Sequence, residues 1–253
     1  VGILLQSASE AMEPWGALMS DIVDKICNII DEGNFHPCKR GKGSDGGAGE
    51  TLEILLGLDI NNSKKADTPY GEIKSFKEGV ASSSKVTLFN CEPEYKHSVR
   101  KDIFEKYKYS VGRGHDACNI VMTAKDYNSH GLKIEIDEDQ ERLYIVDEKT
   151  GKTQNFWTLE ILKERLLEKH GLGLLYVGRE TITTNHSQKT HKYNSLYQYA
   201  GTNFENLIKL IQNGIIVVEF KMRFRQNHKQ KFKNRGTAFR IPENKLVNLY
   251  ATA

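Results

Sequence analysis

The chain has 253 residues, of which 38% are apolar and 27% charged, so its composition is that of a globular protein rather than a disordered or fibrous one. Its longest apolar runs fall far short of the roughly 20 residues of a membrane span, and its start lacks the pattern of a signal peptide, so a cytoplasmic protein is expected. The formal net charge of +3 is unevenly distributed, because residues 221–240 contain eight basic and no acidic residues and the remainder carries −5.

The first third of the chain is predicted to contain two helices and two strands. Helical spacing of apolar residues predicts a helix over 15–31 that ends at Gly33. A loop with five glycines, residues 36–49, leads into a short helix over 50–57. The pattern then changes to strands over 71–75 and 85–90, followed by a charged stretch, 94–109, that fits either a solvated helix or a long loop.

The rest of the chain is predicted to be mainly strands, with two further helices. These are a strand over 118–123, a hairpin of 132–137 and 142–147, a helix over 158–170, a strand over 174–177, a helix over 203–212, and strands over 215–224 and 237–241. Thr158 is the predicted N-cap of its helix, and Leu167 is among its predicted inward-facing residues. Most strands follow one another without an intervening helix. The sequence therefore predicts an α/β fold with a mixed sheet flanked by helices.

Cysteine and histidine spacing does not indicate a zinc site or a disulfide framework. The four cysteines are widely separated, and the pair His36 and Cys38 lacks the second ligand pair that a tetrahedral zinc site needs. Other histidines, including His170 and His191, are interpreted as surface or loop residues because no partner acid lies at a fixed spacing.

Asp67, Glu72 and Lys74 form the pattern with the clearest chemical meaning. Alternate residues of a strand share a face, so Glu72 and Lys74 point the same way, and a turn through Pro69 and Gly71 can return Asp67 to Glu72. Two carboxylates suit Mg²⁺, and a lysine beside the ion suits hydrolysis of a phosphodiester. A surface strand with Glu and Lys on its solvent face gives the same three-residue pattern.

Glu53 and the glycine loop before it strengthen the hypothesis. A glycine loop that feeds a helix N-terminus is a natural binder of phosphate, and Lys39 and Arg40 flank this one. A flexible linker in front of an N-capped helix is the alternative interpretation.

The basic segment, residues 221–240, is punctuated by Phe224, Phe232 and Phe239, unlike a solvated tail. A two-stranded ribbon with a basic tip suits DNA phosphates and, through arginine, the edge of guanine. The predicted contacts are Arg223, Arg225, His228, Lys233, Arg235 and Arg240. A solvated hairpin is the alternative.

Taken together, these residues resemble the MvaI/BcnI type II restriction endonucleases and the related MutH and Sau3AI enzymes of the PD-(D/E)XK nuclease superfamily. The resemblance is carried by residues 49–57 around Glu53 and 65–74 around Asp67, Glu72 and Lys74. Further similar segments follow in the same order and extend it over nearly the whole chain. They include Lys39-Arg40-Gly41, Lys192-Tyr193-Asn194-Ser195 and residues 236–241.

The resemblance implies a function and a set of roles. It implies Mg²⁺ held by Asp67 and Glu72, with Lys74 near the attacking water and Glu53 as an auxiliary carboxylate. It also implies a monomer of two lobes that closes a cleft around duplex DNA and cuts one strand per binding event, without a nucleotide cofactor. Lys192 and Tyr193 join the expected DNA contacts. We expect the catalytic lobe to include about 15–125 and the recognition elements to lie mainly in about 126–253.

Two alternatives to a restriction endonuclease are carried forward. One is a nicking enzyme of mismatch repair or of a mobile element, which would share the chemistry. The other is a non-catalytic DNA-binding domain, although a carboxylate pair that repels DNA without metal would have no use there. Lys233, Asn234 and Arg235 stand where family members tend to have histidine, so the target sequence is left open.

Overall fold

The computed structural model describes residues 16–38, 47–58, 66–68, 71–79, 84–94, 99–112, 114–183, 188–225 and 232–250. The side chains of residues 16–20, 99–102 and 232–235 are not among those described. Within these ranges, no helix has the length and apolar character needed to cross a membrane.

Helices and strands alternate irregularly along the chain. In the first half they are α1 (Gly16–Glu32), β1 (His36–Pro37), α2 (Gly47–Leu55), β2 (Glu72–Lys77), β3 (Lys85–Asn90), α3 (Val99–Tyr107), β4 (Tyr109–Gly112) and β5 (His115–Met122). In the second half they are β6 (Leu132–Asp137), β7 (Arg142–Asp147), β8 (Gly151–Thr158), α4 (Leu159–His170), β9 (Gly173–Thr183), β10 (Lys189–Ala200), α5 (Phe204–Gln212), β11 (Val217–Arg225), β12 (Phe232–Pro242) and a 3₁₀ helix (Glu243–Leu249).

The chain divides into two compact units. The first, unit 1, contains the described residues within Val1–Ser82, Leu167–Thr202 and Tyr250–Ala253. The second, unit 2, contains those within Ser83–Leu166 and Asn203–Leu249. The two units interleave along the chain, because each is built from separate segments of the sequence.

Unit 1 is built on a four-stranded sheet in the order β1-β10-β9-β2. β2 pairs with β9 in parallel, whereas the other neighbours are antiparallel. One face of this sheet packs on α1 and α2 through an apolar core that includes Ile26, Leu52, Ile73 and Val177. Ile73 therefore points into the core, and its neighbours Glu72 and Lys74 lie on the opposite face of the sheet.

Unit 2 contains a five-stranded sheet, in the order β3-β12-β11-β5-β4, and a three-stranded sheet, β6-β7-β8. The long hairpin of β11 and β12 lies in the middle of the larger sheet, with a register shift between Phe220 and Met222. Trp157 on β8 is fully buried and donates its indole N–H to the Cys91 carbonyl oxygen at 3.0 Å.

Most predicted elements are confirmed, including the mixed α/β sheet and the hairpin of β6 and β7. The strands β1, β4, β8 and β10 were not predicted. The sequences of β8 and β10 are largely polar and become strands only through their neighbours in the sheet. Leu167 was predicted to face inward but is 45% exposed. The surface interpretation of His170 and His191 was wrong, because both are buried; His170 Nδ1 lies 2.8 Å from the Tyr250 hydroxyl and His191 Nδ1 lies 3.0 Å from the Thr181 hydroxyl. The four cysteines, all among the described residues, form no disulfide with one another.

Candidate active site

A tight turn before β2 brings Asp67 back to the start of that strand. Thr68 and Gly71 close the turn with reciprocal backbone hydrogen bonds of 3.2 and 3.3 Å. The Ile73 amide donates to Asp67 Oδ2 at 3.1 Å. Gly71 has φ +139°, and a Cβ there would lie 2.6 Å from the Gly173 carbonyl oxygen, so the turn requires glycine.

Glu72 and Lys74 share one face of β2, as alternate residues of a strand must. The Lys74 ammonium donates to Glu72 Oε1 at 2.7 Å. The Glu72 side chain is only 2% exposed, and its second oxygen, Oε2, is buried without a hydrogen-bond partner among the described residues. An unpartnered oxygen on a buried carboxylate is costly unless a further cation or donor can reach it.

Glu53 faces the same carboxylates from α2, where it is half-buried. Its pKa is raised first by loss of hydration, and then by the negative charges of Asp67 and Glu72. The pKa of Asp67 is also raised, although the residue as a whole is exposed. Reduced hydration around the carboxyl group is the main cause, followed by the charge of Glu72. These carboxylates repel one another in the absence of a cation.

Lys169 also lies in this candidate site, although the sequence did not indicate it. It lies in the last turn of α4, and its ammonium is 3.1 Å from Glu72 Oε1. Its charge lowers the pKa of Asp67, and by more than that of Lys74 does. The end of α4 is held there because the Ala66 amide donates to the Glu168 carbonyl oxygen at 3.2 Å. No local motif links residue 169 to Asp67, so only the tertiary structure reveals it.

The residues present fit a hard divalent cation held by few protein ligands. Among the described residues there is no group of three or more His, Cys, Asp or Glu side chains arranged to hold a metal. Asp67 and Glu72 instead form a pair, and the unpartnered Oε2 of Glu72 is available as a ligand. Mg²⁺ commonly binds through one or two carboxylates and keeps several water or phosphate ligands.

The predicted DNA contacts on β11 and β12 fall into two groups. Arg223 is exposed and Arg225 is partly exposed, on the face opposite the buried Met222. Arg240, by contrast, donates to Glu219 Oε2 at 2.7 Å and to the Lys85 carbonyl oxygen, so it is held within the sheet. Lys233 and Arg235 lie on β12, with Lys233 paired in register to Arg223. His228 lies outside the described residues.

The predicted contacts in unit 1 also differ from one another. Lys192 is partly exposed on β10. Tyr193 is fully buried, and its hydroxyl donates to the Ala48 carbonyl oxygen at 2.7 Å. The Tyr193 side chain therefore belongs to the core of unit 1, and a DNA contact at this residue stays a prediction. Lys39 and Arg40 lie outside the described residues.

In this mixed sheet, one strand presents a glutamate and a lysine, and a turn places an aspartate beside the start of that strand. This arrangement defines the class of restriction-endonuclease-like nucleases. The family model for the MvaI/BcnI restriction endonuclease family matches residues 23–250, and the chain belongs to that family.

Comparison with solved structures agrees with the family. The chain is similar to a structure described as the restriction endonuclease MvaI-cognate DNA substrate complex, with 26% identity, a TM-score of 0.77, and coverage of 95% of this chain and 98% of that one. MvaI in the absence of DNA matches with 23% identity, a TM-score of 0.57, and coverage of 96% and 98%, which supports the fold. A search among curated proteins found no match.

Proposed function

We propose that this restriction endonuclease hydrolyses phosphodiester bonds of duplex DNA at a specific sequence, that it requires Mg²⁺, and that it acts as a monomer cutting one strand per binding event. The observation that carries the proposal is the convergence of Asp67, Glu72 and Lys74 at the start of β2, with one carboxylate oxygen buried and unpartnered. Similarity to MvaI, whose structure was determined with cognate DNA, supports duplex DNA as the substrate.

Asp67 and Glu72 would hold the metal, Lys74 would lie near the attacking water and the phosphate, and Glu53 would be an auxiliary carboxylate. When bound, Mg²⁺ supplies Lewis acidity and makes an attacking water more acidic. In hydrolysis, a bond forms between the water oxygen and phosphorus, the bond from phosphorus to the leaving oxygen breaks, and that oxygen gains a proton. Lys74 brings a fixed positive charge to the phosphate, where negative charge develops. Glu53 would serve as an auxiliary carboxylate that adjusts the charge beside Asp67 and Glu72.

DNA binding would rest on the basic residues outside the carboxylate cluster. Arg223 and Arg225 present charge on β11, and Lys233, Arg235 and His228 belong to the same basic segment. Lys39, Arg40 and Lys192 would add contacts from unit 1. Arginine can read guanine as well as phosphate, so this segment is the proposed source of sequence specificity.

Replacing Asp67 by Ala tests the catalytic assignment. Asp67→Ala should abolish cleavage in Mg²⁺ and leave DNA binding in Ca²⁺ intact, since the variant loses a metal ligand and no DNA contact. Asp21→Ala is the matched control, because Asp21 is an exposed acid that pairs with Lys25 on α1. Full cleavage by Asp67→Ala would overturn the assignment.

A supercoiled plasmid that contains cut sites separates this function from the alternatives. Sequential cutting of both strands predicts open circles that later become linear. Open circles that never become linear would favour a nicking enzyme. Intact plasmid with every divalent ion, together with salt-sensitive binding, would favour a non-catalytic DNA-binding domain.

A further inference from the structure

Glu72 receives two ammonium groups on the same oxygen. Lys74 reaches Oε1 at 2.7 Å from the same strand, and Lys169 reaches it at 3.1 Å from α4. The second oxygen, Oε2, is buried, and no residue in the described part of the chain forms a hydrogen bond with it. The carboxylate is therefore held by one oxygen, and the other is left for a ligand that the protein does not supply.

Lys169 contacts the same carboxylate oxygen as Lys74 and is buried to a similar extent, although it comes from a distant part of the chain. Its side chain is 19% exposed, close to the 17% of Lys74, so both ammoniums are mostly withdrawn from solvent. Burial of a long charged side chain costs free energy unless the charge is paired, and the partner here is a carboxylate of the site. The hydrogen bond from the Ala66 amide to Glu168 fixes the end of α4 beside the segment that carries Asp67.

The charges around Glu72 show what Lys169 adds. Glu53, Asp67 and Glu72 lie near one another, and Glu50 adds a further negative charge beside Glu53. Lys74 and Lys169 oppose this negative charge. Without Lys169, the centre would be more negative by one charge, both before and after a cation binds.

We propose that Lys169 is a positioning residue of the active centre: it fixes Glu72 through Oε1 so that Oε2 faces the metal, and its charge opposes metal binding. The proposal rests on the proposed function. It predicts an unusual combination for loss of Lys169, namely tighter binding of the metal and slower cleavage. Tighter binding follows because a like charge is removed, and slower cleavage because Glu72 is less fixed and the loaded centre less positive.

Lys169→Met tests the proposal through metal binding by the full chain without DNA. Calorimetric titration with Mg²⁺ alone should show affinity increased roughly 10-fold, the scale of a nearby like charge. Cleavage at saturating Mg²⁺ should fall by at least about 10-fold, with KM for DNA little changed. Lys169→Arg, which retains the charge, should bind Mg²⁺ like the wild type. Lys163→Met is the matched control, since Lys163 lies on the exposed side of the same helix.

Unchanged or weaker Mg²⁺ binding by Lys169→Met would overturn the proposal, because a merely structural lysine would not oppose the metal. Lys169→Gln provides a second neutral variant with a hydrogen-bond donor and should bind Mg²⁺ more tightly in the same way if the first variant fails to fold. Measurements on the wild type and on Asp67→Ala distinguish a failure of the proposed function from a failure of the role proposed for Lys169. If the wild type neither binds Mg²⁺ nor cleaves DNA in its presence, the proposed function fails. If the wild type binds Mg²⁺, Asp67→Ala does not, and the neutral Lys169 variants match the wild type, only the role of Lys169 fails.

Discussion

The start of β2 and the hairpin of β11 and β12 differ in how far their basic side chains are paired with carboxylates. At β2, Lys74 and Lys169 are mostly buried and both pair with Glu72. On β11, Lys221 and the β12 residue Arg240 pair with Glu219, whereas Arg223 further along the strand is exposed. Two of the eight basic residues of the segment are thus neutralised within the sheet. A count of basic residues in the sequence therefore overestimates the positive charge on the surface of the hairpin. The register of the strands decides which basic side chains pair with a carboxylate in the sheet and which stay exposed to solvent.

Loss of Lys74 should give the largest effect and should fall on chemistry alone. Lys74→Met removes the charge next to the carboxylates, so cleavage should fall by about 10²–10⁴-fold. DNA affinity in Ca²⁺ should stay near that of the wild type. Lys77→Met, on the exposed end of the same strand, is the control. A parallel loss of cleavage and of DNA affinity would contradict the assignment of chemistry to the start of β2 and of DNA binding to the hairpin of β11 and β12.

Substitution of Gly71 should disrupt the site through the backbone. In Gly71→Ala the new Cβ would meet the Gly173 carbonyl oxygen at 2.6 Å, so the turn or the pairing of β2 with β9 must shift. Chemical denaturation should show a loss of about 1–3 kcal/mol in the free energy of unfolding. At Gly79, where φ is +71° and nothing lies within 4 Å, alanine should cost less. Equal losses at both positions would show that the close contact is unimportant.

Loss of Arg223 should act on binding and spare the catalytic step. Arg223→Ala should weaken DNA binding roughly tenfold and reduce the salt dependence by about one counterion. Lys221→Ala should have a smaller effect, because Lys221 already pairs with Glu219 at 2.9 Å. Fluorescence anisotropy at several salt concentrations checks both. A larger effect for Lys221 than for Arg223 would contradict the role given to the ion pair.

Loss of the Tyr193 hydroxyl should affect stability rather than DNA affinity. Tyr193→Phe removes the hydrogen bond to Ala48 and should lower the free energy of unfolding by about 1 kcal/mol. Weaker DNA binding at unchanged stability would restore Tyr193 to the DNA-binding residues.

The smallest effect concerns the stability of metal-free protein as pH changes. The raised pKa values of Asp67 and Glu53 mean that the folded state binds more protons than the unfolded state. Their contribution to stability therefore falls as pH rises from the ordinary carboxyl pKa, near about 4, through the raised values. Thermal melting in EDTA should show this fall, with a shallower slope for Asp67→Asn. A steeper slope in that variant would contradict the assigned direction of the pKa shift.

The sequence predicted what depends on local pattern. Asp67, Glu72 and Lys74 are close together in the chain, and alternation along a strand was enough to place Glu72 and Lys74 on one face. The confirmed hairpin of β6 and β7 has the same local origin. What was missed depends on long-range packing: Lys169 joins the site through the end of α4, and β10 becomes a strand through its pairing with β9. The burial of Tyr193 likewise depends on α1 and α2 packing over the sheet.

The parallel pairing of β2 with β9 has a consequence for the order in which the protein is made. Glu72 and Lys74 are synthesised early, but their neighbouring strand and Lys169 follow only after most of unit 2. A growing chain on the ribosome therefore carries the proposed metal-binding carboxylates for nearly a hundred residues without the strand and the cation that organise them. The proposed nuclease centre cannot assemble before Lys169 and β9 have been translated, so chains that stop earlier would lack the means to cut DNA.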